Sequence, residues 1–190
     1  MSHAVLPHQR LRCRLIAEYH RVVHTSEVVW YVTGRFFTQG KSFFDVGYFL
    51  HLGNYDPMFS DKSAPSESSA HFTFAADPFT ATPVTNGDLS IALDAKGCFS
   101  IYFNETPCAT FDDPSTFKNG KRIATFERVS IVAGVTLPKG VGMNAFTARL
   151  VSSEPFPYGD LRDMIPYGVT QWGTVAGSSH AFIGSAILLS

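Results

Sequence analysis

The chain has 190 residues, of which 45% are hydrophobic and 16% are charged, and its formal net charge is −1. This length and composition predict one folded domain over 1–190 with a sizeable core and exclude a disordered chain. The lack of a basic excess argues against a nucleic-acid partner. No apolar run approaches the about 20 residues of a membrane span, so we expect no stable membrane insertion.

Phenylalanine and cysteine usage narrows the expected class of protein. There are 17 Phe residues and 2 Trp residues, and Phe carries no polar group, which predicts a large apolar interior or an apolar ligand. Cys13, Cys98 and Cys108 match no metal or redox spacing and fit free thiols in a reducing compartment. Because the first residues lack the apolar core of a signal peptide, we expect a cytoplasmic protein.

The N-terminal segment has helical periodicity, whereas the rest of the chain has strand patterns. Apolar residues recur at helical spacing within 8–24, which predicts one helix there: Leu11, Leu15, Tyr19 and Val22. From Glu27 onward, about eight to ten short segments rich in aromatic and β-branched residues predict strands. The polar stretch 54–69 between two of them predicts a long loop, either a lid over a barrel mouth or a surface insertion.

Turn signals between these segments predict antiparallel neighbours. Asn86-Gly87 predicts a tight hairpin because both residues tolerate positive φ, and Asp94 to Gly97 predicts a second hairpin directly after it. Pro78 and Pro83 predict a bend or an edge strand. We therefore expect a mostly β, antiparallel, closed barrel of about eight strands with the N-terminal helix outside it. A two-layer sandwich is the alternative.

The segment Ser42 to Leu52 has two faces of different character. One face is wholly apolar: Phe44, Val46, Tyr48, Leu50 and Leu52. The other is mixed: Phe43, Asp45, Gly47, Phe49 and His51. In a barrel with a covered outer wall the mixed face would line the interior, whereas in a sheet with one wet side the apolar face would do so. The pattern leaves both arrangements open.

The segment Gly120 to Gly134 has the same ambiguity, with a charge on each face. Glu127 lies on the face of Ile123 and Val129, and Arg128 lies on the opposite face. Burial of an unpaired charge is costly, so a charge on the inner face predicts a polar site inside the fold. We expect Glu127 to point into the interior and Arg128 to point outward.

No phosphate loop, dinucleotide fingerprint, paired CxxC or nucleophile elbow is present in the sequence, and we expect no cofactor and no metal. Polar residues on strands remain as candidates. A carboxylate among apolar neighbours suits proton transfer and hydroxyl or amide donors suit carbonyl polarisation, which predicts three catalytic residues: Glu127, Tyr102 and Asn104. The expected substrate-binding residues are Phe43, Asp45, Phe49, His51, His71, Asn144 and Gln171.

Two segments resemble a known kind of protein. "FSIYFNETPCATFDDPSTFKNGKRIATFERVSIVAG" (99–134) resembles the middle of small β-barrels of the allene oxide cyclase and dirigent type, and "GTVAGSSHAFIGSAILL" (173–189) is similar to their closing strands. The resemblance implies an eight-stranded barrel with an apolar cavity and a homo-oligomer, either a dimer or a trimer. It also implies ring closure or coupling of a reactive intermediate without a cofactor. No catalytic position can be carried over.

Three functions follow as hypotheses. The first is a cofactor-independent isomerase or cyclase acting on an apolar small-molecule intermediate of specialised metabolism, with Glu127 moving a proton while Tyr102 and Asn104 polarise a carbonyl. The second is a non-catalytic carrier of a small hydrophobic ligand in the same cavity. The third is an interaction protein with a β-sandwich and no cavity.

Overall fold

The computed structural model describes residues 27–80, 82–87, 89–92, 97–129, 132–137, 141–177 and 179–189. Within them, eleven strands form one sheet. Their bounds are β1 Val28–Gln39, β2 Ser42–Leu52, β3 Phe72–Ala76, β4 Pro83–Asn86, β5 Leu89–Ala92, β6 Gly97–Phe103, β7 Lys121–Arg128, β8 Val132–Leu137, β9 Val141–Ser153, β10 Gly168–Ala176 and β11 Ala181–Leu188. A 3-10 helix spans Pro114–Lys118, and α1 spans Leu161–Met164. The helix expected over 8–24 lies outside the described residues.

Eight of the strands close into a barrel. Their order is β10-β11-β1-β2-β3-β6-β7-β9, and β9 pairs with β10 to complete the ring. Each of these pairs is antiparallel, as the short connections predict. The predicted closed antiparallel barrel is therefore confirmed, and the sandwich alternative is wrong because the sheet forms a single closed ring.

The three remaining strands extend the barrel wall at one end. Along one edge β9 pairs first with β8 and then with β7, and β5 and β4 continue outward from β8. The hairpin predicted at Asn86-Gly87 forms between β4 and β5, and Pro83 begins the edge strand β4, as expected. The hairpin predicted at Asp94 to Gly97 is wrong, since β5 pairs with β4 and β8 while β6 pairs with β3 and β7.

Aromatic side chains fill most of the barrel interior. Phe99, Ile101 and Phe103 of β6 all point inward and are at most 5% exposed. Opposite glycines of β1 and β2 make room for the rings: a Cβ at Gly34 would lie 2.7 Å from the Phe182 ring. An eight-stranded barrel is just wide enough for side chains to fill it, and here they nearly do.

The mixed face of β2 points inward over most of the strand. Asp45 and Phe49 are buried on the inner side, and the register shift between Tyr31 and Val32 then brings Leu52 inside and leaves His51 outside. Most of the opposite face is shielded from water, because the connection between β6 and β7 covers it with Phe111 and Phe117, while Leu50 at its far end is exposed. This cover makes an outward-facing apolar row possible, and it settles the orientation that the sequence left open.

Loops close one end of the barrel. Tyr55 of the polar loop 54–69 stacks on Phe72 at 5.6 Å, and Phe156, Leu161 and Ile165 of the connection between β9 and β10 pack beside them. We name this end the closed end. The lid role of 54–69 stays a prediction. None of the helices in the described part of the chain has the length and apolarity needed to cross a bilayer.

Candidate functional site

The candidate site is a charged pair inside the barrel, at the end opposite the closed end. Asp45 on β2 and Arg128 on β7 are three strands apart in the ring and meet across the interior. Nη2 of Arg128 donates to Oδ1 of Asp45 at 2.9 Å. Arg128 is 5% exposed and Asp45 is 6% exposed. A pair this deeply buried is costly to desolvate and depends on its partner, so its position is specific.

Three phenylalanine rings surround the guanidinium. Cζ of Arg128 lies 4.8 Å from the ring centre of Phe79, 5.2 Å from Phe146 and 5.4 Å from Phe99. The faces of aromatic rings attract cations, and the attraction grows as water is removed. The rings thus stabilise the guanidinium where water cannot.

One of those rings belongs to an irregular segment. Phe79 lies between β3 and β4, its neighbours in the chain are exposed, and its own side chain is half-buried. Its backbone is held by two hydrogen bonds with Phe43, each of 2.8 Å. Phe79 therefore covers the guanidinium from the barrel end, and its backbone is held there by one β-bridge to Phe43.

A small cavity lies beside the pair. Its volume is about 10 Å³, close to the space that one water molecule needs. The apolar lining is Trp30, Val32, Phe49, Phe74, Phe99 and Phe146, and the polar lining is Asp45, Arg128 and Gln171. Gln171 accepts a hydrogen bond from Nε1 of Trp30 at 3.0 Å, which fixes both side chains in the wall.

One nitrogen of the guanidinium is left without a hydrogen-bond partner in the described part of the chain. Among the described residues, Nη1 of Arg128 has no hydrogen-bond partner although it is buried. Buried donors are nearly always satisfied, and an unpaired one costs free energy. The site can therefore offer a charge-assisted hydrogen bond to an acceptor atom, next to a carboxylate that can accept a proton.

The expected orientation of Glu127 and Arg128 is wrong. Glu127 points outward and accepts two hydrogen bonds from Arg149, at 3.0 and 2.7 Å, in an exposed pair. Arg128 is the residue that points inward, and Asp45 on the facing wall provides its countercharge. An exposed carboxylate beside a guanidinium is an ordinary surface ion pair.

Tyr102 and Asn104, the other two expected catalytic residues, also lie outside the interior. Tyr102 packs on the outer wall with Phe117 and its neighbours, and burial raises its pKa. Asn104 holds the ends of the connection between β6 and β7: its Nδ2 donates to the carbonyl of Asn119 at 2.8 Å, and its Oδ1 accepts from the backbone of Thr106. The three residues do not share one site.

Three of the expected binding residues do come together: Asp45, Phe49 and Gln171 line the cavity. Asn144 lies on the inner side of β9, two residues before Phe146, with its Oδ1 over Gly173. It is outside the cavity lining. The interior site therefore contains part of the expected set but none of the expected catalytic residues.

The remaining three expected residues lie elsewhere. Phe43 supports Phe79 from outside the cavity, as described above. His51 lies on the outer wall against Tyr31, and burial lowers its pKa. Nδ1 of His71 donates to the carbonyl of Asn104 at 2.9 Å. In the described part of the chain no three His, Cys, Asp or Glu side chains are grouped so that they could hold a metal ion.

Sequence reasoning missed the residues that define the site. The strand pattern predicts Arg128 outside and does not indicate Trp30, Phe79 or Phe146 as site residues. A usable signal was present, since Arg128 follows Phe126 at strand spacing and thus shares the face of a buried aromatic residue. Phe79 has no periodic signal because it lies between strands.

Comparison of the chain with family models, with curated proteins and with solved structures finds no match.

Proposed function

We propose that the barrel binds an apolar small molecule at the end of its interior where Arg128 meets Asp45. The observation that carries this proposal is the buried guanidinium with an unpaired Nη1, set among aromatic rings. Ligand sites are mostly apolar with a few polar groups that orient the ligand, and this lining has that composition.

Binding requires movement of the rings. Ligand pockets usually measure about 300–1,000 Å³, and the cavity measures about 10 Å³. The ring of Phe79 is the natural one to move, because it is half-buried and lies outside the strands. Its displacement would uncover the guanidinium and admit a ligand ring in its place.

The two tryptophans allow a direct test. Trp30 is 1% exposed and lines the cavity, whereas Trp172 is 45% exposed on the outer wall. In a Trp172→Phe variant, tryptophan emission comes from Trp30 in the interior alone. We expect 1-bromo-4-ethylbenzene, whose bromine quenches on contact, to quench Trp30 in a saturable manner.

The matched control is Trp30→Phe, which keeps the exposed Trp172. Its emission should fall only in proportion to the quencher concentration, without saturation. Linear quenching of Trp30 in the Trp172→Phe variant would show that no ligand enters and would end the proposal. Circular dichroism of both variants checks that the barrel is intact.

A cofactor-independent isomerase or cyclase of specialised metabolism is the second candidate. The observation that favours it is the contact of a carboxylate with a guanidinium at 2.9 Å in an apolar interior. Asp45 would take or return a proton while Arg128 stabilises the oxygen on which negative charge develops. Both resemblance and geometry support this candidate, with Asp45 in the role first expected of Glu127.

Turnover separates the two candidates. Incubation of the protein with polyene or polyketide intermediates would give a product with an enzyme and return the compound unchanged with a carrier. If a product forms, Asp45→Asn should abolish its formation while Trp30 quenching by the bromo compound persists. Unreduced turnover in that variant would remove Asp45 from the chemistry.

We also propose that the protein forms a homo-oligomer, a dimer or a trimer, through the uncovered outer wall. The sequences of β10 and β11 contain no charged residue, and Trp172 and Ile183 stand exposed on them. Tyr31 and Met143 extend this surface onto β1 and β9. Analytical ultracentrifugation of the native protein and of the Ile183→Lys variant tests this proposal: a monomer in both cases would contradict it.

The cytoplasmic location stays a prediction, which fractionation of cells would test.

A further inference from the structure

We infer that the ligand presents a neutral oxygen acceptor, such as a ketone or epoxide oxygen, to Arg128, and that carboxylic acids are disfavoured. This inference rests on the proposed binding function and specifies the chemical class of the ligand. It follows from two features of the site, the free donor and the charge already neutralised beside it.

The free donor sets the need for an acceptor. Nη2 of Arg128 is engaged by Asp45, and Nη1 is buried without a partner among the described residues. A purely apolar ligand would leave Nη1 unpaired, whereas an oxygen acceptor would gain a hydrogen bond from a charged donor, the stronger kind. The apolar lining then receives the remainder of the molecule.

The local charge decides which acceptor fits. The guanidinium is paired with Asp45, so the two side chains together are electrically neutral. A carboxylate on Nη1 would place a second negative charge beside that of Asp45, in a region where water does not screen the repulsion. A neutral oxygen accepts the same hydrogen bond without this cost.

Competition against the bromo compound measures this preference. In the Trp172→Phe background, we would displace 1-bromo-4-ethylbenzene with three compounds of similar shape: cyclohexyl methyl ketone, cyclohexanecarboxylate and ethylcyclohexane. The readout is the recovery of Trp30 emission. We expect the ketone to displace the probe at least about 10-fold better than the carboxylate, because Asp45 repels the second negative charge. It should also displace the probe about 10-fold better than ethylcyclohexane, the effect of about one charge-assisted hydrogen bond.

Two substitutions change the site in opposite ways. Arg128→Lys keeps a positive charge for Asp45, but its one nitrogen lies at the carboxylate and puts no donor at the position of Nη1. Ketone affinity should therefore fall about 10-fold while that of the hydrocarbon is unaffected. Asp45→Asn leaves the guanidinium without its countercharge, so the preference should reverse and cyclohexanecarboxylate should become the tightest of the three. Arg149→Gln, on the outer wall, is the matched control and should keep the native order.

The outcomes separate this inference from the proposed function. If the bromo compound never quenches Trp30 with saturation, the binding proposal itself fails. If it does, but native protein prefers the carboxylate or treats ketone and carboxylate alike, binding stands and the inference is overturned. If the Arg128→Lys protein proves unstable, the Asp45→Asn variant still tests the inference. We expect Asp45→Asn to gain affinity for cyclohexanecarboxylate, and no loss of structure would produce such a gain.

Discussion

The two ends of the barrel interior are built largely from the same residue type but differ in charge. At the closed end, Phe72, Phe103 and Phe156 contact one another, with ring centres 5.3–6.0 Å apart. At the other end, phenylalanine rings surround Arg128 and its partner Asp45. Apolar burial fully explains the first arrangement, since it stabilises the fold without a polar penalty.

The second arrangement needs another reason. A buried ion pair is on average no more stabilising than apolar residues of the same size. Under the proposed function, the end with Arg128 binds a ligand, whereas the closed end stabilises the fold.

The largest expected effect is at the charged end. Arg128→Met leaves the carboxylate of Asp45 buried without a partner and should lower the free energy of unfolding by about 3–5 kcal/mol. Adding Asp45→Leu should recover most of that loss, because the buried charge is then gone. Urea denaturation of the two variants measures both steps; a double variant as unstable as the single one would contradict the assignment.

At the closed end, Leu161→Ala should cost about 2–5 kcal/mol, because Leu161 is fully buried and the substitution leaves a cavity. The saturable quenching of Trp30 should keep its native midpoint, since the site lies at the other end. Leu50→Ala, at a position 44% exposed, is the control and should change stability by about 0.5 kcal/mol or less. A shifted quenching midpoint in Leu161→Ala would show that the ends are coupled.

Alkaline pH should loosen the closed end first. Burial, together with Asp160 and Asp163, raises the pKa of Tyr55 to about 12, from about 10 in an unfolded chain. Since the folded state favours the neutral phenol, this stabilisation is complete below pH 10 and is lost as pH rises toward 12. Tyr55→Phe should flatten the fall in stability over this interval, with a residual slope from Tyr48 and Tyr102, whose pKa values burial also raises. Identical pH profiles for variant and native protein would exclude this origin.

The smallest effect is expected on the outer wall. Glu127→Gln removes an exposed ion pair with Arg149 and should cost about 0.2–1 kcal/mol. Trp30 quenching and any turnover should stay at native levels. A tenfold change in ligand affinity in this variant would return Glu127 to the functional site.

The fold was largely predictable because it depends on local signals. The hairpin at Asn86-Gly87 and the edge position of Pro83 follow from backbone preferences of the residues themselves. The absence of a hairpin between β5 and β6 shows the limit of local signals. β5 pairs with β8 and β6 pairs with β7, and such pairings depend on residues elsewhere in the chain.

The orientation of the strands was less predictable than their existence. On β6 the apolar row of Phe99, Ile101 and Phe103 points inward, as in an ordinary core. On β2 the row that contains Asp45 points inward instead, because the connection between β6 and β7 covers the other row. Alternation identifies two faces of a strand, whereas the cover on each face, set by distant segments, decides which one is inside.

Ring closure by the first and last described strands has a consequence for the order of folding. β1 pairs with β11, and the partners Trp30 and Ala186 are separated by most of the chain. Contacts between such distant segments form slowly because the intervening chain must first lose its freedom. During synthesis the ring cannot shut before β11 has left the ribosome, so we expect Arg128 and Asp45 to keep their hydration until this late step. We expect their dehydration to be among the last events in maturation of the protein.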